Sequence, residues 1–303
     1  MKKQIRKRID KELIFCLIAL LIPTIQFTIF YIWVNFNSFF LAFKEYNVME
    51  GKYIIDDPLV NFKRVWEELV YSDILTDALW NSIIAWVWGT LLGMSLAVFF
   101  AYYIYKKAFL AKTFKVLLFL PSVLPGILCS VMFRYCVNEA IPMLADELFD
   151  KELVGLLVGK NTRFGTAIFY TVWFGFGSQV LIHSGSMAQV SPSVIEAGQI
   201  DGATPFVEFW VIVIPEVLPA ISTFLITGIA TIFTNQANLY NFFGGEVEYA
   251  DYTIGYYLFK LTNTSAAAQR ESYPYASALG LCCTIVAVPL TFGVRKLMEK
   301  LGD

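Results

Sequence analysis

The sequence predicts an all-α, polytopic membrane protein with six transmembrane helices. Three observations predict it. Of 303 residues, 57% are hydrophobic and only 16% are charged, against about 45–50% apolar and about 25% charged in a typical soluble domain. Six stretches come near or exceed the roughly 20 apolar residues that cross a bilayer. The basic residues collect in alternate loops, as they do where spans thread a membrane in turn.

The spans read, in order, as 13–34, 83–105, 116–133, a segment within 164–187, 217–240 and 275–293. The first follows a tail bearing Lys2, Lys3, Arg6, Lys7, Arg8 and Lys11. Its uncharged run is a full span, longer than the apolar core of a secretory signal, and no small-residue cleavage site follows it. Pro23 lies in the first span, and Pro121 and Pro125 lie in the third. Prolines kink or break a membrane helix where neighbouring protein satisfies the freed carbonyls. A transporter that changes shape can use such breaks, and static packing explains them equally well.

The loops set the orientation. The N-terminal tail, the loop bearing Lys106, Lys107, Lys112 and Lys115, and the tail bearing Arg295, Lys296 and Lys300 fall on one side of six spans. The positive-inside rule makes that side the cytoplasm, so both termini are expected there, in a multi-pass protein of the bacterial cytoplasmic membrane. The opposite side carries acid: 45–77 holds eight Asp/Glu and three Lys/Arg. The loop between spans four and five is cytoplasmic by parity yet carries no Lys or Arg in 188–210. Orientation is not its task. The external segment 136–163 is amphipathic, and 244–274 is polar. The division expected is a basic tail 1–12, a first helix with its external loop 13–78, a five-helix core 79–297, and a C-terminal tail 298–303.

The unusual cytoplasmic loop, 191–215, reads as two short helices with a sharp break. Ser191 or Ser193 can cap the first helix, and Pro192 suits an early helical position. Ser193-x-x-Glu196 has a capping-box spacing. Gly202 stands where a left-handed residue ends a helix. Thr204-Pro205 repeats the cap-then-proline pattern, and Pro215 marks the start of span five. The product is a helix–Gly–helix knuckle. Its small residues (Ala197, Gly198, Gly202, Ala203) let another protein approach closely, and its carboxylates (Glu196, Asp201) can meet basic groups. Caps and glycine turns also occur in loops with no partner, so the residues alone leave both readings open.

The same stretch resembles the EAA loop of binding-protein-dependent ABC importer permeases. The pattern runs Glu196-Ala197-Gly198, three residues, Gly202, nine residues, then Ile212-x-Ile214-Pro215. Gly198 stands where the family usually has a second Ala, Ile214 replaces Leu, and the loop's frequent basic residues are absent. Ile200-Asp201-Gly202-Ala203 is similar to the form typical of sugar permeases. Asn61-Phe62-Lys63 resembles the segment before span two, 114–121 resembles the start of span three, and Tyr275-Ala276-Ser277-Ala278 resembles the start of the last span. The long N-terminal span with 34–38 looks like the MalF/UgpA/LplB-type half of sugar heterodimers. The resemblance implies a type I ABC importer permease fold and coupling through Glu196, Ala197, Gly198, Asp201, Gly202 and Ala203. It also implies a second permease subunit, an ABC ATPase dimer carrying ATP and Mg, an extracellular solute-binding protein, and a small-molecule sugar substrate, all within lipid.

Toward its outer end, span five turns polar at Thr234, Asn235, Gln236, Asn238, Tyr240 and Asn241. Polar groups in a bilayer face protein or water, and sugars are recognised by amides and aromatic faces. Asn235, Gln236, Asn238, Tyr240 and Asn241 are therefore candidates for a solute pathway. An interfacial helix end would look the same. His183, the single histidine, has no carboxylate near it in sequence and reads as a hydrogen-bonded packing residue. The five cysteines match no metal spacing and read as small apolar core residues. No phosphate-binding glycine loop occurs, so ATP hydrolysis is expected on a separate subunit, with no catalytic residue, metal or cofactor on this chain and no nucleic acid among its partners. An ion-driven transporter would need acids in its spans, and these spans are almost free of them. A permease for a polyamine or amino acid, or a scaffold without transport, stays open.

Overall fold

In a computed structural model that describes residues 2–302, most of the chain is helical. Met1, the side chains of the basic tail before Lys11, and Asp303 of the C-terminal tail lie outside the described residues. Six helices are long and apolar enough to cross a bilayer by length and composition: Leu13–Leu41, Asp73–Tyr105, Gly126–Phe149, Arg163–Met187, Pro205–Ala230 and Ala266–Leu301.

Their number agrees with the sequence, and some of their bounds do not. The stretch read as one third span is two helices. Ala111–Val123 ends at Leu124, whose ψ is 149°, and a second helix begins at Gly126. The reason is Pro125, whose ring drives the residue before it out of the α region. The second helix passes a π-turn at Cys136–Ala140 and runs on to Phe149, so half of the supposed amphipathic loop is helix. The last helix, Ala266–Gly302, absorbs most of the C-terminal tail. The first passes Pro23 and a π-turn at Thr28–Trp33 before ending at Leu41.

The chain forms two compact units. One comprises Met1–Glu67 with Leu261–Cys282. In it no residue of the first helix's apolar window is buried, so that surface needs lipid or another chain around it. The helix end is fixed by Asn61, which is buried and donates to the carbonyls of Ala42 at 3.0 Å and Lys44 at 2.7 Å. Phe62 packs on Phe43, ring centres 5.2 Å apart. The Asn-Phe pair thus closes the turn that follows the first span. A small antiparallel hairpin pairs Glu45–Asn47 with Lys52–Ile54, and Arg64 lies over the Tyr275 ring at 5.3 Å.

The other unit comprises Glu68–Lys260 with Cys283–Asp303. Its central helix is Arg163–Met187, which packs on Gly93–Tyr105, Ala111–Val123 and Ile214–Ala230. A cluster at one end of this unit joins Val98, Ala101, Met187, Ile195, Phe209 and Val213. His183 is fully buried against Phe224, ring centres 5.0 Å apart. Neither of its ring nitrogens has a hydrogen-bond partner among the described residues. It packs as expected but without the expected hydrogen bond, because its helix face meets an aromatic ring. Among the cysteines only Cys129 is buried; Cys16 and Cys136 are exposed, which corrects their reading as core residues.

Candidate functional site

The knuckle forms as two helices around one glycine. Ser191, extended at ψ 126°, precedes the helix Pro192–Ile200. Its hydroxyl lies 2.8 Å from that of Ser193 and makes no cap bond, and because the helix already starts at Pro192, Ser193 lies inside it and is not the cap of a capping box with Glu196. The helix ends through Ala203 N–H on Gly198 O at 2.9 Å and Gly202 N–H on Gln199 O at 3.1 Å. Gly202 has φ +83°, the left-handed region in which glycine is least strained. Thr204 then accepts from Val207 N–H at 3.4 Å, and Pro205 opens the next helix. That helix does not start at Pro215. It runs from Pro205 to Ala230, because a π-turn at Glu208–Val213 lies just before Pro215 and absorbs the missing donor.

The coupling candidates share one surface. Glu196, Ala197, Asp201 and Gly202 are exposed, and Gly198 and Ala203 are half-buried. Between them Ile200 is 86% exposed, an apolar side chain at the tip. A Cβ at Gly198 would come within 2.4 Å of Ile212 Cδ1. A larger residue there would need the end of the Ile212 side chain to shift.

Behind that surface lies a polar cluster the sequence did not single out. Glu208 is 2% exposed. It accepts two hydrogen bonds from Lys106 Nζ at 2.9 and 3.0 Å, one from Gln199 Nε2 at 3.3 Å, and one from the Tyr102 hydroxyl at 3.2 Å. Tyr102 O–H also lies 3.0 Å from Pro205 O, and its one proton serves either acceptor in turn. A carboxylate removed from water needs such a set of partners. The available signal was a lone acid opening an apolar run opposite a lysine-bearing loop; Lys106 had counted only toward orientation.

At the far end of the fifth helix the pathway candidates lie beyond the helix itself. The helix stops at Ala230, and the chain turns through Ala237 and Asn238, with φ +48° and +58°. Asn235 Oδ1 accepts from Ala237 N–H at 2.9 Å, and Asn235 O accepts from the Thr253 hydroxyl at 2.9 Å. Asn238 Nδ2 donates to Thr171 Oγ1 at 3.0 Å, and Asn241 Nδ2 donates to Asn238 Oδ1 at 3.0 Å. Gln236 is half-buried, and its carbonyl takes Leu239 N–H at 3.0 Å. Asn235 and Asn238 thus shape the turn. Tyr240 and Asn241, on the short helix Leu239–Phe243, line an open cleft of about 580 Å³ with Arg134, Asn138 and Glu246. Arg134 donates to Phe242 O at 3.3 Å.

The loop after that cleft is tied down by charge. Arg163, at the start of the fourth long helix, pairs with Asp251 and, at 2.8 Å, with Glu248. The Arg163 hydrogen bond holds the Glu248 carboxyl below its usual range, whereas burial pushes Asp251 up against the pull of the same guanidinium. Asn81 Nδ2 adds bonds to the carbonyls of Ala250 at 2.7 Å and Tyr252 at 3.0 Å. Among the described residues no group of three or more His, Cys, Asp or Glu could hold a metal ion.

Residues 89–301, which include the knuckle, the buried cluster and the polar turn, match the sequence profile described as "Binding-protein-dependent transport system inner membrane component". The chain belongs to that family. It is therefore a multi-pass membrane permease component. Among its relatives, the multiple sugar-binding transport system permease protein MsmF of Streptococcus mutans is 25% identical over 188 residues, covering 62% of this chain and 63% of the relative. The galactooligosaccharides transport system permease protein GanP of Bacillus subtilis is 25% identical over 272 residues, 84% of this permease and 62% of the relative. The alignments thus span a little over three fifths of those two proteins. A probable ABC transporter permease protein of Bacillus subtilis, YurN, is 22% identical and aligns over 92% of this permease and 94% of its own length. The fold is that of a solved chain from a bacterial alginate ABC transporter in complex with its pentasaccharide-bound periplasmic protein. The TM-score is 0.79 at 17% identity, with 97% of both chains covered.

Proposed function

We propose that this permease is the transmembrane subunit of an ATP-driven importer for a sugar or oligosaccharide, forming half of a heterodimeric pathway. The observation that carries the reading is the family match across the exposed knuckle. Names of the relatives MsmF and GanP, which concern sugars and galactooligosaccharides, support the solute class. The N- and C-termini and the knuckle lie in the cytoplasm, on the positive-inside argument.

In this reading Glu196, Ala197, Gly198, Asp201, Gly202 and Ala203 form the docking surface for a separate ATPase, which binds ATP and Mg. Closure of the ATPase pair pushes on the knuckle, and the knuckle moves the spans. The pathway opens outward to a docked solute-binding protein and accepts its solute. Tyr240 and Asn241 contact the solute, their cleft being open while Asn235 and Asn238 hold the turn beneath. Tyr240 offers an aromatic face and Asn241 an amide, the pair of groups that suits a sugar ring and its hydroxyls.

The test is mass spectrometry of what co-purifies with a tagged version of this chain from its native membrane in mild detergent. A cassette ATPase, a second permease and a binding protein are expected, and the solute bound to that protein decides between sugar and another class. Recovery of the chain alone across several detergents would overturn the importer reading.

A further inference from the structure

The knuckle presents two routes for movement. One is the chain itself, which continues from Ser191 into the fourth long helix and from Pro205 into the fifth. The hinge between its arms is a glycine, Gly202, and a hinge transmits a push poorly. The other route is through side chains. Glu208 draws donors from three separate places: Gln199 on the knuckle helix, Tyr102 near the end of the second span, and Lys106 in the loop just beyond it. The Tyr102 ring packs on Phe209, ring centres 4.8 Å apart, and Ile195 of the knuckle joins the same apolar cluster as Val98 and Ala101. A displacement of the knuckle relative to the second span larger than the Lys106 side chain can follow parts a carboxylate that is out of water from its lysine. Parting a buried pair leaves an uncompensated charge, so the two elements move together.

We infer that the Glu208–Lys106 pair is the link through which movement of the knuckle reaches the second span. Glu208 is a positioning residue: it faces away from the exposed docking surface and acts by fixing the knuckle's angle on the helix end. The inference rests on the knuckle being the ATPase docking site.

The test uses the complete assembly in lipid nanodiscs, with ATP and the solute-loaded binding protein as isolated. The readout is the ratio of binding-protein-stimulated to basal ATP hydrolysis, corrected for assembled complex. Lys106→Met and Glu208→Ala are expected to lower that ratio at least fivefold with basal hydrolysis retained. The exchange Lys106→Glu with Glu208→Lys is expected to restore at least half of it. A ratio within twofold of wild type in the single variants overturns the link. So does a parallel fall of basal and stimulated rates, which a merely structural pair would give, and so does a loss that the exchange leaves unrepaired. Where the single variants fail to assemble, Tyr102→Phe decides. It removes one hydroxyl; a ratio lowered twofold or more supports the link, and an unchanged ratio overturns it. Gly202→Asp separates the two readings. If it changes neither ratio nor assembly, docking at the knuckle fails; if it abolishes stimulation while the Glu208 variants keep theirs, only the link fails.

Discussion

The two ends of the fifth long helix solve the same problem differently. Each must reverse the chain next to a membrane span. At the knuckle end the reversal uses a glycine at φ +83°, and a buried carboxylate that accepts from Lys106, Gln199 and Tyr102 braces it. At the far end it uses Ala237 and Asn238, two non-glycine residues in the left-handed region, held by side-chain bonds from Asn235 and Thr253. The knuckle encloses one carboxylate, Glu208, and offers a surface of small residues with the exposed carboxylates Glu196 and Asp201 and one exposed isoleucine. The far turn keeps its apolar residues inside (Ile232, Phe233, Ala237 and Leu239 are buried) and leaves polar groups along a cleft. A surface of the first kind suits a protein partner, and one of the second kind suits a small polar solute.

The largest effect that would break this comparison is at Gly202. Gly202→Asp is expected to abolish solute uptake at normal expression, because it adds about 1–2 kcal/mol of left-handed strain and puts a charged side chain on the proposed docking face. Wild-type uptake by that variant sinks the coupling role. Next is Lys106→Met, which strands Glu208. Removing one partner of a buried pair costs about 3–5 kcal/mol, and the partial exposure of Lys106 puts the loss at the low end. Thermal unfolding in detergent reads it. Gly255→Ala strikes the far turn. Its Cβ would meet Thr234 O at 2.5 Å and Asn235 O at 2.7 Å, both backbone, so overpacking of about 1–3 kcal/mol is expected. Faster proteolysis confined to the 231–243 segment is the sign to look for.

Finer still is the division of labour among the asparagines. Asn238→Ala is expected to destabilise by about 1 kcal/mol, through the left-handed alanine and the lost bond to Thr171. Asn241→Ala is expected to leave stability within about 0.5 kcal/mol while raising the half-saturating solute concentration in uptake. The reverse pattern would move the solute contact into the turn. The smallest effect is at Glu248. Its folded-state pKa is depressed by Arg163, so its contribution is present above the ordinary glutamate range and is lost as pH falls through the depressed value. The difference in thermal midpoint between wild type and Glu248→Gln should therefore shrink as pH is lowered from 6 to 3. A constant difference would remove Glu248 from the tether.

Six spans were legible because apolar length is a local property, and the knuckle was legible because caps, Gly202 and Pro205 act within a few residues. The family resemblance found Asn61, although only the structure shows what it does, which is to bond carbonyls 17 and 19 residues before it. The break at Leu124 was half legible: Pro125 announced a disturbance but not whether it would be a kink or a stop. The far turn was misread, since 231–240 is as compatible with a polar helix end as with an unwound segment. What decided it was contact with Thr253 and Gly255, distant in sequence.

By itself, then, the sequence determined that this chain crosses a membrane six times and carries a helix–Gly–helix knuckle, since apolar run length, proline and glycine act locally. Only the tertiary structure decided that Glu208 is enclosed by Lys106, Tyr102 and Gln199, that His183 meets Phe224 instead of a polar partner, and that Asn241 faces a cleft while Asn238 does not. Each of these depends on which helix face lies against which, and a single sequence does not carry that information in its local pattern.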